Sequence, residues 1–173
     1  LSGPAGTASG LYGSGWPLLP YVVPAAHDQP QMPTGLTGII AFISDHENPA
    51  GELYTFNPAT QLVTRVTNST GLYIDGVSLS NDHTRLAFYG GPSKIDYTTW
   101  EIYTVNTNGS GLKTLTTNSV LDGHPAWSPD DSEIVYASFN DPVDIWRASL
   151  VRMTAAGSAI LTTLTPTTAN DND

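Results

Sequence analysis

Three small groups of polar side chains carry whatever chemistry this sequence has. Asp122 and His124 stand two residues apart, a carboxylate and an imidazole that together suit a ligand site. Asp130 and Asp131 follow Ser128-Pro129, and Asp45 and Glu47 flank His46 ahead of Asn48. Oxygen donors of this kind suit a hard cation such as calcium. None of the groups has the spacing of a helical zinc motif or a calcium loop, so turn caps and solvated loops are the competing readings. Asp122 and His124 have a competing reading too, as a capping pair that ties neighbouring units together.

Covalent catalysis finds less support. There is no Gly-x-Ser-x-Gly elbow, and no cysteine to serve as a thiolate or zinc ligand. Building a triad from His27, His46, His83 or His124 with an arbitrary serine has no spacing to recommend it. No catalytic residue is assigned, and the chain reads as a binder sooner than an enzyme. Asn68-Ser69-Thr70 and Asn108-Gly109-Ser110 fit the glycosylation sequon, which matters only in a source that glycosylates.

Composition narrows the partners. Six basic against 16 acidic residues leave a formal charge of −10, which repels phosphates and anionic headgroups. Nucleic acid is therefore a poor partner, and a basic protein patch a better one. No apolar run approaches the roughly 20 residues a membrane-spanning helix needs. The sequence starts at Leu1 without a basic segment and apolar core behind it, so a signal peptide is expected to be absent or already removed.

The elements that must position these groups are strands. Charged residues make up only 13%, whereas 16 glycines and 13 prolines break the chain into short segments. Alternation in Glu52-Leu53-Tyr54-Thr55-Phe56 and Glu101-Ile102-Tyr103-Thr104-Val105 has a period of two. No segment carries a helical apolar stripe, so the chain is expected to be all-β. Val66-Thr67, Leu115-Thr116 and Leu164-Thr165 close similar passages at equal intervals of 49 residues. Equal intervals mean one supersecondary unit repeated. Four short strands per unit predict about three blades of a β-propeller, at 38–74, 75–121 and 122–173. The first unit enters directly at its second strand and lacks an innermost one. Three such sheets cannot close a ring, so further chain, a protein partner or a second copy is expected to complete it.

Residues 1–37 differ. Six prolines and no Lys, Arg or Glu predict an extended path, yet Tyr12, Trp16, Leu19 and Tyr21 are too apolar for a solvated linker. The segment reads as an arm that lies across a surface, of its own domain or of a neighbour, with those four side chains as its partner-binding contacts. A loosely ordered terminus is the alternative.

The sharpest motif is Pro125-Ala126-Trp127-Ser128-Pro129-Asp130. Pro125 and Trp127 fall on an innermost strand, where the indole can wedge between blades. Ser128-Pro129-Asp130-Asp131 makes a tight turn, and Ile134 and Tyr136 then alternate into the core. The second unit keeps the frame, with Leu79 for Trp127, Ser80 for Ser128, Asp82 for Asp130, Leu86 for Ile134 and Phe88 for Tyr136. With Glu101-Ile102-Tyr103, Asn108-Gly109 and Leu115-Thr116, the chain resembles the TolB-like, WD-repeat-like β-propeller family over roughly 39–173. It departs from that pattern at Asp131, where the family's turn has glycine, and at Asn81, where it has proline.

The resemblance implies a periplasmic or extracellular protein that binds partners through the propeller faces, and it implies no single activity. The leading expectation is a non-catalytic protein-binding or scaffold module. The alternatives are the accessory propeller of a hydrolase or lyase whose catalytic residues lie elsewhere, and a calcium-binding propeller. No cofactor is expected, calcium excepted.

Overall fold

A computed structural model describes residues 35, 37–69, 71–139, 148–157 and 160–164. The expected arm with Tyr12, Trp16, Leu19 and Tyr21 lies outside the described residues, as do Trp146 and Thr165.

Three antiparallel sheets follow one another along the chain, each a simple meander. The first holds β1 (Ile40–Ser44), β2 (Glu52–Asn57) and β3 (Leu62–Arg65). The second holds β4 (Tyr73–Leu79), β5 (Arg85–Gly91), β6 (Glu101–Asn106) and β7 (Lys113–Thr114). The third holds β8 (Leu121–Trp127), β9 (Glu133–Phe139), β10 (Ser149–Thr154) and β11 (Ile160–Thr163). Register identifies the missing strand. Ile40 pairs with Phe56 as Leu86 pairs with Val105 and Ile134 with Met153. So β1 is the counterpart of β5 and β9, and the innermost place of blade 1 is vacant among the described residues.

Period-two alternation on β5 feeds two cores at once. Leu86 and Phe88 pack with Leu53, Val66, Ile74 and Val105 between blades 1 and 2. Ala87 and Tyr89 turn the other way, joining Ile102, Ile134, Tyr136, Val151 and Met153 between blades 2 and 3. Ile134 and Tyr136 occupy the inter-blade core as their alternation predicts. The middle sheet is therefore buried on both faces, which explains why β5 reads as nearly continuous apolar sequence.

The repeated Val/Leu-Thr endings have a mechanical reason. The Thr67 and Thr116 hydroxyls accept the Leu53 and Ile102 backbone N–H groups, each at 2.9 Å. The same hydroxyls donate to Glu52 and Glu101 at the head of the neighbouring strand. A threonine thus replaces a backbone rung where the outer strand departs. In both blades the outer strand ends before that threonine, β3 at Arg65 and β7 at Thr114. Backbone bonds join the blades as well: Ile74 N–H donates to Ala50 C=O and Asp122 N–H to Trp100 C=O, both at 2.9 Å.

Trp127 needs a correction. Its indole N–H donates across the junction to Ser78 C=O at 3.1 Å, and the Arg85 guanidinium sits 4.4 Å from the ring centroid. The ring is only partly buried, so it braces the blade junction from its margin instead of filling the interior.

Candidate functional site

The β4–β5 and β8–β9 turns are built alike. The Ser80 hydroxyl donates to Asp82 at 2.7 Å and the Ser128 hydroxyl to Asp130 at 2.6 Å. Each serine oxygen also accepts the N–H of the first residue of the next strand, Arg85 at 2.9 Å and Glu133 at 3.0 Å. Hydroxyl and N–H donors hold both aspartates down to about 2, with Ser80 and Ser128 contributing most. His83 and Asp131 sit in the left-handed region, with φ of 61° and 58°. Asp131 therefore takes the backbone shape of the glycine it replaces, since Asp adopts that conformation more readily than most residues.

Asp131 also reaches the previous blade. Its carboxylate accepts the N–H of Asn81 at 2.7 Å and of Asp82 at 2.8 Å. Burial works against its charge, but these donors hold its pKa below the ordinary value. Asp130 and Asp131 are thus engaged by protein donors in turns. Glu47 pairs with Arg65 at 2.8 Å, while Asp45 faces a cleft described below. Among the described residues no three His, Asp or Glu side chains gather closely enough to hold a metal ion.

Asp122 and His124 enter different surroundings. The β8 register shifts between Gly123 and Ala126, and His124 takes φ of 55° at that irregularity, as Gly76 takes 47° on β4. Asp122 is fully buried, its Oδ2 accepting the Asn118 amide at 2.7 Å and its Oδ1 without a hydrogen bond. His124 is exposed, with its ring 5.0 Å from Tyr89 and 6.4 Å from Phe139.

Two buried acids at the heads of β2 and β6 complete the picture. Glu52 is buried and accepts from Asn48 at 2.8 Å, from Ser69 N–H at 3.0 Å and from Arg65 at 3.1 Å. Burial pushes its pKa up, yet these partners and Thr67 bring it below the ordinary carboxylate value. Glu101, its counterpart in blade 2, accepts from Thr116 and from Asn118 N–H at 2.6 Å each but has no arginine among the described residues. Thr114 stands opposite Tyr103 where Arg65 stands opposite Tyr54. Burial, with the charge of Asp122 added, pushes Glu101 up, and burial pushes Asp122 up. The signal was present in the sequence: Glu52 and Glu101 are spaced as Thr67 and Thr116 are.

A cleft of about 300 Å³ opens where the β1–β2 loop of blade 1 meets the start of β4 and the β5–β6 loop of blade 2. Asp45, Tyr73, Asp75, Lys94, Tyr97 and Trp100 line it. From its rim a row of rings runs inward: Tyr97 to Trp100 at 5.3 Å, Trp100 to Tyr89 at 5.7 Å, and Tyr89 to His124 at 5.0 Å. The row joins the sequence-predicted histidine to a cleft that the sequence did not announce.

No protein-family model matches the chain, and no curated protein matches it. Solved structures do. A putative TolB from Agrobacterium tumefaciens superposes with a TM-score of 0.56 at 17% identity, covering 70% of this chain and 40% of its own. TolB from Acinetobacter baumannii gives 0.55 at 20% identity, covering 70% and 28%. The β-propeller domain of the Trilobed protease from Pyrococcus furiosus, described as having an open velcro topology, gives 0.54 at 12%, covering 73% and 40%. The chain spans less than half the length of each. No helix among the described residues is long and apolar enough to cross a membrane. Repeat register, two-sided middle sheet and these superpositions agree: the chain forms blades of a TolB-like β-propeller fold.

Proposed function

We propose that these blades are the binding part of an extracytoplasmic β-propeller, a non-catalytic module that docks protein partners within a larger assembly. The edge of β1 carries this reading. Among the described residues blade 1 has three strands where blades 2 and 3 have four, and an unpaired edge is a template for an added strand. Propellers close with about four to eight blades, so three must meet further blades, a second copy or a partner. The net charge of −10 favours a basic protein surface over nucleic acid.

Sedimentation equilibrium of the chain across a range of concentrations tests the reading. Self-association, or capture of a strand from another polypeptide, is the expected result. A concentration-independent monomer of 18.4 kDa would count against it.

The likeness to the propeller domain of a protease supports a second reading, an accessory propeller serving a hydrolase or lyase. The sequence of the intact polypeptide from its native source separates the two. A nucleophile elbow or metal triad beyond these blades would favour the second.

A further inference from the structure

We propose that the cleft between the β1–β2 and β5–β6 loops is a binding site for an uncharged, hydroxyl-rich sugar of one or two rings. The charge inventory is the starting point. Among the described basic side chains, Arg65 is held by Glu47 and Glu52, Arg85 by Asp131 C=O, Lys113 by Ala156 C=O and Arg152 by Glu133. Lys94 differs: it makes no hydrogen bond or ion pair with the described residues, and it lines the cleft. Asp45 on the opposite loop likewise has no hydrogen-bond or ion-pair partner among the described residues and lines the same space. A donor and an acceptor, both uncommitted among described loop residues whose other carboxylates cap turns or pair with Arg65, face one cleft.

The third charge is Asp75, whose Oδ1 accepts Gly76 N–H at 2.7 Å and whose carboxylate also meets the Tyr89 hydroxyl. One ammonium stands against two carboxylates. An anionic ligand would meet a net negative cleft on a protein of charge −10. A cationic one would be drawn by the two carboxylates but would leave the Lys94 ammonium without a partner. A neutral polyol uses all three groups, since hydroxyls both donate to carboxylates and accept from an ammonium.

The apolar wall fits the same class. Tyr97 is 52% exposed and leans on the buried Trp100 at 5.3 Å and 52°. An aromatic face held open beside polar side chains offers the C–H face of a sugar ring a surface to stack on. The loop that presents it is pre-shaped. The Ser93 hydroxyl accepts Ile95 and Asp96 N–H, Asp96 accepts Thr98 N–H and its hydroxyl, and Trp100 donates its indole N–H to Ser93 C=O at 2.7 Å. Little ordering is then left to the ligand. A volume of about 300 Å³ lies at the small end of ligand pockets, which limits the occupant to one or two rings.

Calorimetric titration of the full chain tests this with maltose, cellobiose and N,N′-diacetylchitobiose as neutral probes, and with glucuronate and glucosamine as charged ones. At least one neutral disaccharide is expected to bind with Kd of about 1 mM or tighter. Tyr97→Ala and Lys94→Met, both changes of exposed loop side chains, should each weaken it about tenfold, with an unchanged circular-dichroism melt as the folding control. Tighter binding of glucuronate or glucosamine than of every neutral probe would overturn the assignment of class. No heat from any neutral probe up to ~50 mM, a concentration above the range of weak specific binding, would overturn the site itself. Binding that survives both substitutions unchanged would place the sugar elsewhere and overturn it equally. None of these outcomes depends on whether the module also docks a protein.

Discussion

Asp131 and Asn81, fifty residues apart in sequence, are joined by a 2.7 Å hydrogen bond from the Asn81 N–H to the Asp131 carboxylate. The bond crosses from the turn of one blade to the turn of the blade before it. Asp131→Gly keeps the left-handed backbone at φ 58° and deletes only the carboxylate. Its melting temperature should fall, and amide exchange should quicken at Asn81 and Asp82 before it quickens in the cores. Unchanged protection at those two amides would mean the bracket is idle.

Trp127 is the second brace of that junction. Trp127→Ala removes a partly buried ring, its bond to Ser78 C=O and its contact with Arg85, and should cost about 3 kcal/mol, the low end for a large aromatic. Trp127→Phe keeps most of the packing and should lose about 1 kcal/mol, the worth of one hydrogen bond. Urea unfolding at constant m-value reads both. A loss below ~0.5 kcal/mol for the alanine variant would show that the ring bears no load.

Glu101 and Asp122 set the pH response. Both carboxyls have raised pKa values in the folded protein, so the folded state holds protons that the unfolded chain releases near pH 4. Their contribution is complete below that pH and is lost as pH rises through the folded-state values. Asp82 and Asp130, lowered to about 2, act in the opposite sense, stabilising above about pH 4 and failing as pH falls toward 2. Stability should therefore peak in mildly acidic solution. Glu101→Gln should flatten the decline on the alkaline side, where one proton is worth at most about 1.4 kcal/mol per pH unit. Thr114→Arg, which restores the arginine that Glu52 enjoys in blade 1, should do the same and raise stability at pH 7. An identical pH profile in both variants would remove these acids from the account.

Calcium should leave the melting temperature unchanged over a wide concentration range. The Asp130 and Asp131 oxygens already accept from Ser128, Ser132, Asn81 and Asp82. Displacing those donors would cost a cation much of what it gains. A marked upward shift of the melting temperature at millimolar calcium would show that the turns can open to bind it.

Blade architecture was legible because its signals are local. Ser-x-Asp turns, period-two strands and the Leu-Thr endings each act within a few residues, so the pattern shows which residues they are. What each touches across a junction was not legible. Asp131 was visible as a turn residue, but its donors sit in the previous unit. Asp122 and His124 looked like a pair at spacing two until the irregularity after Gly123 sent them to separate surroundings. The cleft was the least legible part. Its walls come from the β1–β2 loop and its longer counterpart in blade 2, the β5–β6 loop, where Lys94, Tyr97 and Trp100 do not repeat the residues of blade 1, and a repeat pattern says nothing about what is not repeated.

The unequal joints have a consequence for assembly. A chain made of near-copies risks stacking a sheet against the wrong neighbour, since the apolar faces are similar. His83 stands close to Gly38 at the first junction, whereas Asp131 clasps two N–H groups at the second. A blade docked out of turn would forfeit the two Asp131 hydrogen bonds, and that loss favours blade 3 beside blade 2.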